Sequence, residues 1–210
     1  MSIRKFEAKL STGEDIAPEI TSFIELIGLE RTAPDRYSLL LVLQLFGAFK
    51  SNMLNPAKVV CEIQALEGIG RPSQLKRPIQ FKYPPLKGLW HKHYLPDGLR
   101  PTALNVQNAL SKHGIPWLIE RVREVQEASE ERAISVDDCA AIADDAVYGN
   151  LRRRANAAEM TGEWIIYAQH EGANYYLCLG DHNKDNHANV RQQIDAICCS
   201  EFPFLAAQLA

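Results

Sequence analysis

The fold is decided by residues 163–169 (EWIIYAQ) and 174–179 (NYYLCL), which are joined by residues 170–173 (HEGA). Both outer stretches are rich in β-branched and aromatic side chains, which favour strands. Two stretches of this kind joined by a short loop that contains glycine are typical of a β-hairpin. We therefore predict an antiparallel hairpin near residues 163–179.

Most of the remaining chain has the apolar spacing of helices. The predicted helices cover residues 16–29, 35–49, 56–67, 102–113 and 185–199, and two more begin at Pro116 and at Ser135. Between residues 71 and 98 repeated prolines exclude a long helix, and residues 79–83 (IQFKY) alternate as one strand would, within a long loop. The pattern predicts an α+β fold, mostly helical, with a small antiparallel sheet.

The predicted elements divide the chain near residue 70. We expect an N-terminal helical segment over residues 1–70, followed by an α+β region over residues 71–210 that carries a basic loop and the late hairpin. The alternative is that both parts form one continuous domain, because 210 residues lie close to the usual size of a single domain.

The composition is that of an ordinary globular chain. Apolar residues make up 46% and charged residues 23% of the chain, and the net charge of −3 excludes histone-like, collagen-like and wholly disordered proteins. The longest apolar run, residues 39–49, is too short for a membrane helix, so no membrane association is expected. An odd count of five scattered cysteines with no export signal predicts free thiols and a cytoplasmic protein.

The small net charge hides a strong segregation. Residues 71–113 contain eight basic residues and one acid, whereas residues 124–145 contain eight acids and one base. A basic loop interleaved with aromatic residues is what single-stranded nucleic acid requires, since cations neutralise phosphates and rings stack on bases. The alternative is that the basic block docks internally on the acidic helices.

The densest polar cluster is residues 87–94 (KGLWHKHY). In an extended conformation His91 and His93 share one face, flanked by Lys87 and Lys92. One histidine of this pair would serve as a general acid or base in phosphodiester cleavage, and the lysines would stabilise the charge on phosphorus. A His-x-His pair also supplies two zinc ligands, but no third ligand has a recognised spacing, so no metal or other cofactor is predicted. Histidines that only form hydrogen bonds in a loop are the remaining alternative.

The hairpin offers a second set of polar groups. Trp164, Ile166 and Ala168 suit the core, so the alternation of a strand places Glu163, Tyr167 and Gln169 on an outer face, with Tyr176 from the partner strand. On such a face Glu163 would act as the general base that takes the 2′-hydroxyl proton of RNA. The alternative is that Glu163 is a solvent-facing residue at the start of a strand.

Residues 84–93 (PPLKGLWHKH), 162–167 (GEWIIY) and 174–177 (NYYL) resemble segments of a set of poorly characterised bacterial and phage-associated proteins. The layout is also loosely similar to that of barnase-like and RelE-like ribonuclease toxins, in which helices precede a small antiparallel sheet that bears the active site. This resemblance implies a ribonuclease of toxin or phage-defence type. The first 70 residues have no counterpart in the small toxins, and the arginine expected on a late strand is not evident.

The leading hypothesis is a cytoplasmic bacterial protein that binds RNA and cleaves it without a metal. The candidate catalytic residues are His91, His93, Glu163 and Tyr167, and the candidate substrate contacts are Lys87, Trp90, Lys92, Arg152, Arg153 and Arg154. The alternatives are a non-catalytic module that binds a partner, such as a cognate inhibitor or a second copy, and a small-molecule enzyme that uses the histidine pair.

Overall fold

A four-stranded antiparallel sheet lies at the centre of the computed structural model, which describes residues 4–9, 11–129 and 133–210. The strands are adjacent in chain order: β1 (Ile79–Gln80), β2 (Trp90–Tyr94), β3 (Glu163–His170) and β4 (Ala173–Gly180). Helices make up most of the rest of the described chain, so the predicted α+β class with a small antiparallel sheet is confirmed.

The predicted hairpin is present as β3 and β4. Its strands are longer than expected and leave only Glu171 and Gly172 in the turn. Both turn residues have positive φ, 49° and 77°, which matches the twist that a two-residue hairpin turn requires. Glycine reaches this region without cost, which is why a glycine stands at the second turn position.

The sequence did not resolve β2 from a loop. Residues 90–94 pair along their whole length with β3, from Trp90 opposite Tyr167 to Tyr94 opposite Glu163. Both faces of this strand are covered, so it lacks the alternation of apolar and polar residues that marks a half-exposed strand. The strand predicted over residues 79–83 is reduced to the two residues of β1, which form the sheet edge.

Four helices cover one face of the sheet: α1 (Ala17–Ile27), α2 (Leu29–Thr32), α3 (Leu39–Lys50) and α4 (Pro56–Leu66). The apolar side chains of α1, α3 and α4 form one core with Ile165, Tyr167 and Tyr176 of the hairpin. The N-terminal helices and the hairpin therefore share a core across residue 70. In the described part of the chain, no helix combines the length and apolar character needed to cross a membrane.

The opposite face of the sheet is covered by the C-terminal segment. A short 3₁₀ turn (Lys184–Asn186) leads into α9 (His187–Gln193), a π-helical turn (Ile194–Cys198), α10 (Cys199–Glu201) and α11 (Phe204–Gln208). The second core joins this segment to Trp164, Ile166, Ala168 and Cys178. The central strands are therefore buried on both faces.

The remaining helices lie beyond β2: α5 (Leu99–His113), α6 (Pro116–Ala128), α7 (Val136–Asp144), a π-helical turn (Asp145–Gly149) and α8 (Asn150–Asn156). The helix predicted to begin at Ser135 is α7, and a capping box of reciprocal hydrogen bonds between Ser135 and Asp138 starts it. Buried Asn105 of α5 and Arg154 of α8 are hydrogen-bonded to each other, and together they hold the backbone of Glu159 and Thr161 before β3.

Gly162, the residue before β3, packs against the backbone at the end of β2. A Cβ at this position would lie 1.9 Å from the carbonyl oxygen of Tyr94, so Gly162→Ala should lower the free energy of unfolding by about 1–3 kcal/mol through overpacking. Urea unfolding of the whole protein measures the change. As a control, Gly47→Ala in the interior of α3, where a Cβ meets nothing within 4 Å, should stabilise by up to about 1 kcal/mol. Equal effects of the two substitutions would contradict this account.

Candidate functional site

His91 and His93 project from the same face of β2, as the two-residue period predicted. They face Trp164 of β3, with ring centroids 4.5 Å and 6.4 Å from the indole, and 5.6 Å from each other. Both histidines are buried, at 8% and 3% exposure. The pair is therefore assembled, but inside the molecule and not on an open loop.

Two further histidines that the sequence analysis did not select join this pair. His182 and His187 follow β4, and their rings lie 4.5 Å and 5.5 Å from Trp164. His182 is also 5.3 Å from His93. We refer to His91, His93, His182 and His187 around Trp164 as the imidazole cluster. The signal in the sequence is that both residues come directly after the hairpin, where the chain returns to the start of β3.

Hydrogen bonds determine which ring nitrogen donates and which accepts in two histidines of the cluster. Trp164 Nε1 is only a donor, so at 3.2 Å it requires His93 Nε2 to accept, which places the His93 proton on Nδ1. His182 Nε2 donates to the carbonyl of Gly162 at 2.8 Å. In the described part of the chain, Nδ1 of His91, Nδ1 of His93 and Nε2 of His187 are buried without a hydrogen-bond partner. Each of these atoms is shielded from solvent and leaves one hydrogen-bonding position of its ring unused.

The described residues contain no group of three or more histidine, cysteine or carboxylate side chains placed to hold a metal ion. The Trp164 bond gives a physical reason for this at His93. One ring nitrogen accepts from the indole and the other carries the proton, so neither has a lone pair for a metal.

Burial sets the charge of the central pair. Desolvation, followed by the neighbouring His182 and His187, lowers the pKa of His91 to about 4. Desolvation and the neighbouring His91, His182 and lysines lower the pKa of His93 to about 3. Both rings are neutral at pH 7, which favours the general-base role over the general-acid role expected for one of them. A neutral imidazole can accept a proton.

A cleft of about 540 Å³ opens onto this cluster. We call residues 79–85 the strap and this opening the strap cleft, because the strap passes beside the cluster and forms one wall. The other lining side chains are His91, Trp164, Lys184 and His187. Phe81 of the strap packs against His91 at 4.6 Å and against Trp164 at 5.3 Å, while Lys82 and Tyr83 are exposed. The cleft therefore has an aromatic interior and a basic opening.

The strap is held at both ends. The backbone of Phe81 exchanges hydrogen bonds with Gly88 and Leu89, at 3.0 Å and 2.8 Å. Arg191 of α9 donates from Nη1 to the carbonyl of Pro85 at 3.0 Å. These bonds tie the strap to the residues before β2 and to the C-terminal segment.

Glu163 and Tyr167 do not join the histidine pair. In β3 they lie opposite Tyr94 and Trp90, so they project to the other face of the sheet. Glu163 reaches a small pocket of about 60 Å³ that is lined also by Arg100 and His182, and its Oε2 is buried.

The expected outer face is wrong for Tyr167. This residue is 1% exposed, and burial raises the pKa of its hydroxyl above the usual value of 10. Trp90, expected to stack on a base, is half-buried and stacks on Tyr167 at 6.4 Å. The reason is that helices α1–α4 cover the face that the sequence pattern assigned to solvent.

Lys92, expected to bind phosphate, is buried in an ion pair. Its Nζ lies 3.1 Å from the carboxylate of Glu62 and donates to Ser73 Oγ at 2.7 Å and to the carbonyl of Lys76 at 2.9 Å. Burial lowers the pKa of Lys92, and the Glu62 carboxylate opposes that shift. All donors of this ammonium are directed into the protein, so it is a structural group.

The three arginines of residues 152–154 differ in burial, and two of them are bound within the protein. Arg154 is buried and donates to the carbonyl of Glu159, and Arg153 forms an ion pair with Asp145. Arg152 is exposed, as is Lys87. Among the six predicted substrate contacts, these two are the exposed cations.

Comparison of the chain with protein-family models, with curated proteins and with solved structures finds no match. The resemblance to ribonuclease toxins therefore stays a prediction, and the function has to be argued from the strap cleft and the imidazole cluster themselves.

The buried ion pair of Lys92 gives a direct test of its role. Lys92→Met should lower the free energy of unfolding by about 3 kcal/mol, because it leaves the buried Glu62 carboxylate without its charge partner. The double variant Lys92→Met with Glu62→Gln should recover most of this loss in urea unfolding. Lys58→Met, which removes an exposed ion pair with Asp97, is the control and should cost less than about 1 kcal/mol. Unchanged stability of the Lys92 variant would contradict a structural role.

The low pKa values of His91 and His93 predict acid sensitivity. Between pH 6.5 and about 4 the unfolded chain takes up protons on these rings that the folded chain does not, so stability should fall as the pH falls. The contribution of His91 is roughly 3 kcal/mol at most. His91→Gln with His93→Gln should flatten this part of the stability profile, whereas Phe81→Leu, which alters packing but removes no titrating group, should keep the slope. An equally steep profile in the double variant would refute the assignment.

Proposed function

We propose that the protein binds single-stranded RNA and holds one base in the strap cleft. The observation that carries this proposal is the combination of aromatic walls with buried imidazole nitrogens that have no hydrogen-bond partner among the described residues. Pockets of 300–1,000 Å³ that are mostly apolar, with a few convergent polar groups, are typical ligand sites. The cleft volume of about 540 Å³ lies within that range.

The cleft walls suit a flat aromatic ligand. Phe81 and Trp164 present rings inside the cleft, and Tyr83 at its opening is 78% exposed. Base–aromatic stacking contributes about 1–3 kcal/mol per base and tolerates any base. A base inside the cleft and a second base on Tyr83 would use both surfaces.

The polar groups of the cleft suit the edge of a base. His91 is neutral at pH 7, and its Nδ1 has no partner in the described structure. An uncharged imidazole is matched to the uncharged donors and acceptors of a base edge, whereas a phosphate would require a cation. Nε2 of His187 offers a second such position in the same cleft.

The cations lie where the phosphates of a bound strand would pass. Lys82 and Lys184 line the strap cleft and are exposed, and Lys87 follows two residues after the strap. Lys82 and Lys87 belong to the basic block of residues 71–113. Neutralisation of phosphates by such lysines makes binding dependent on salt.

Metal-independent cleavage of the bound strand is the second candidate function, because two imidazoles share the cleft; in this pose the ribose, and not the base edge, would face His91. His91 would accept the proton of the 2′-hydroxyl, whose oxygen attacks phosphorus. The bond from phosphorus to the 5′ oxygen breaks, and that oxygen takes a proton from His187. The products are a 2′,3′-cyclic phosphate and a 5′-hydroxyl, so His91 takes the general-base role expected of Glu163 and His187 is the general acid. This activity would agree with a cytoplasmic toxin or phage-defence protein.

Binding is tested by fluorescence anisotropy of a labelled 12-nucleotide RNA with the full chain. Tyr83→Ala should weaken binding about 5- to 100-fold through lost stacking. The matched control is Tyr148→Ala, a tyrosine that is 64% exposed on the helical side, which should leave the affinity unchanged. Lys82→Ala with Lys184→Ala should lower both affinity and salt dependence, while Lys50→Ala on α3 should not. Absence of RNA binding by the wild-type protein, or equal affinities of the two tyrosine variants, would reject the proposal.

Cleavage is tested with the same RNA in the presence of a chelator. The wild-type protein should give fragments ending in a 2′,3′-cyclic phosphate, and His91→Gln with His187→Gln should give none. Bound but intact RNA with the wild-type protein would leave RNA binding as the function and remove the cleavage step.

A further inference from the structure

Helices α6 and α7 form an amphipathic pair in which no residue is buried. Their apolar side chains face a groove of about 210 Å³, the α6–α7 groove, whose apolar lining is Trp117, Leu118, Val122, Val125, Ile134 and Ile142. An apolar stripe on a helix is normally covered by another element. Here Val122 is 46% and Ile134 is 66% exposed.

The surroundings of the groove are acidic. In the described part of this stretch, residues 116–129 and 133–145, seven residues are acidic and two are basic. Arg121 pairs with Glu124 at 2.9 Å and Arg123 pairs with Glu120, so these charges cancel and the other described residues of the stretch leave an excess of carboxylates. The field over the groove is therefore negative.

We propose that the α6–α7 groove binds an amphipathic helix of a partner protein with lysine or arginine beside its apolar stripe. Helix-in-groove recognition uses apolar anchors spaced three or four residues apart, and the basic flanks would meet the acidic rim. This surface is separate from the strap cleft and does not depend on RNA binding.

Charge also decides against other occupants. A second copy that used the same groove would bring two acidic surfaces together, since a two-fold contact joins identical patches. RNA would be repelled by the same carboxylates. A basic helix is the occupant that satisfies both the apolar lining and the surrounding charge.

The test uses two fluorescent 18-residue peptides with the same leucine spacing, one with lysine and one with glutamate at every polar position. The full chain should bind the Leu/Lys peptide with micromolar affinity and the Leu/Glu peptide at least 10-fold more weakly. Val122→Asp and, separately, Ile134→Asp should each weaken binding of the Leu/Lys peptide at least 10-fold. Because Asp adds negative charge, such a loss cannot come from weaker electrostatic attraction.

The matched control is Leu26→Asp on α1, where the leucine is 72% exposed, which adds the same charge and should leave peptide affinity unchanged. Both Asp variants of the groove should unfold near the wild-type urea concentration, because neither parent side chain is buried, Val122 being 46% and Ile134 66% exposed. Equal affinity for the two peptides, or equal effects of Val122→Asp and Leu26→Asp, would overturn the proposal. So would a wild-type dimer in sedimentation that Val122→Asp converts to a monomer, since a second copy would then fill the groove.

Discussion

The structure depends on how a strand with three polar residues in sequence is accommodated at the centre of a sheet. His91, Lys92 and His93 occupy the middle of β2, and each must find partners on the face to which it points. Lys92 meets Glu62 of α4 on one face, and the two imidazoles meet Trp164 on the other. Removing charges from water is costly unless pairing and hydrogen bonds compensate, so α4 and β3 have to be in place before β2 is stable. The N-terminal helices and the hairpin are coupled through this strand.

Much of the fold could be predicted from the sequence because its signals are local. The hairpin has β-branched and aromatic residues around a glycine turn, and α1 ends at Gly28, whose φ of 71° is the left-handed conformation expected of a helix stop. The strand β2 could not be separated from a loop, because Lys92 and the histidines lie in the interior. No local pattern indicates that Glu62, thirty residues earlier in the chain, neutralises Lys92.

The candidate site was predicted in part. The pairing of His91 with His93 follows from the period of a strand, whereas the addition of His182 and His187 depends on the return of the chain beside β3. Glu163 was expected beside His91 and His93 but lies on the opposite face of the sheet. The alternation of side chains along a strand shows which residues share a face, but it does not show which face the helices cover. Charge segregation located the basic block of residues 71–113. It could not show that the charged groups of Lys92 and Arg154 are bound by other groups inside the protein.

The register of β2 constrains how this protein can change over time. A slip of one residue would exchange the two faces, so that the ammonium of Lys92 would enter the imidazole cluster and an imidazole would face Glu62. Insertions and deletions should therefore be tolerated poorly between residues 90 and 94. The strap has exposed side chains from Lys82 to Pro84, and there the chain can lengthen or change composition. The ligand preference of the strap cleft can thus diverge among descendants of this chain, while the buried residues that line it, His91 and Trp164, stay the same.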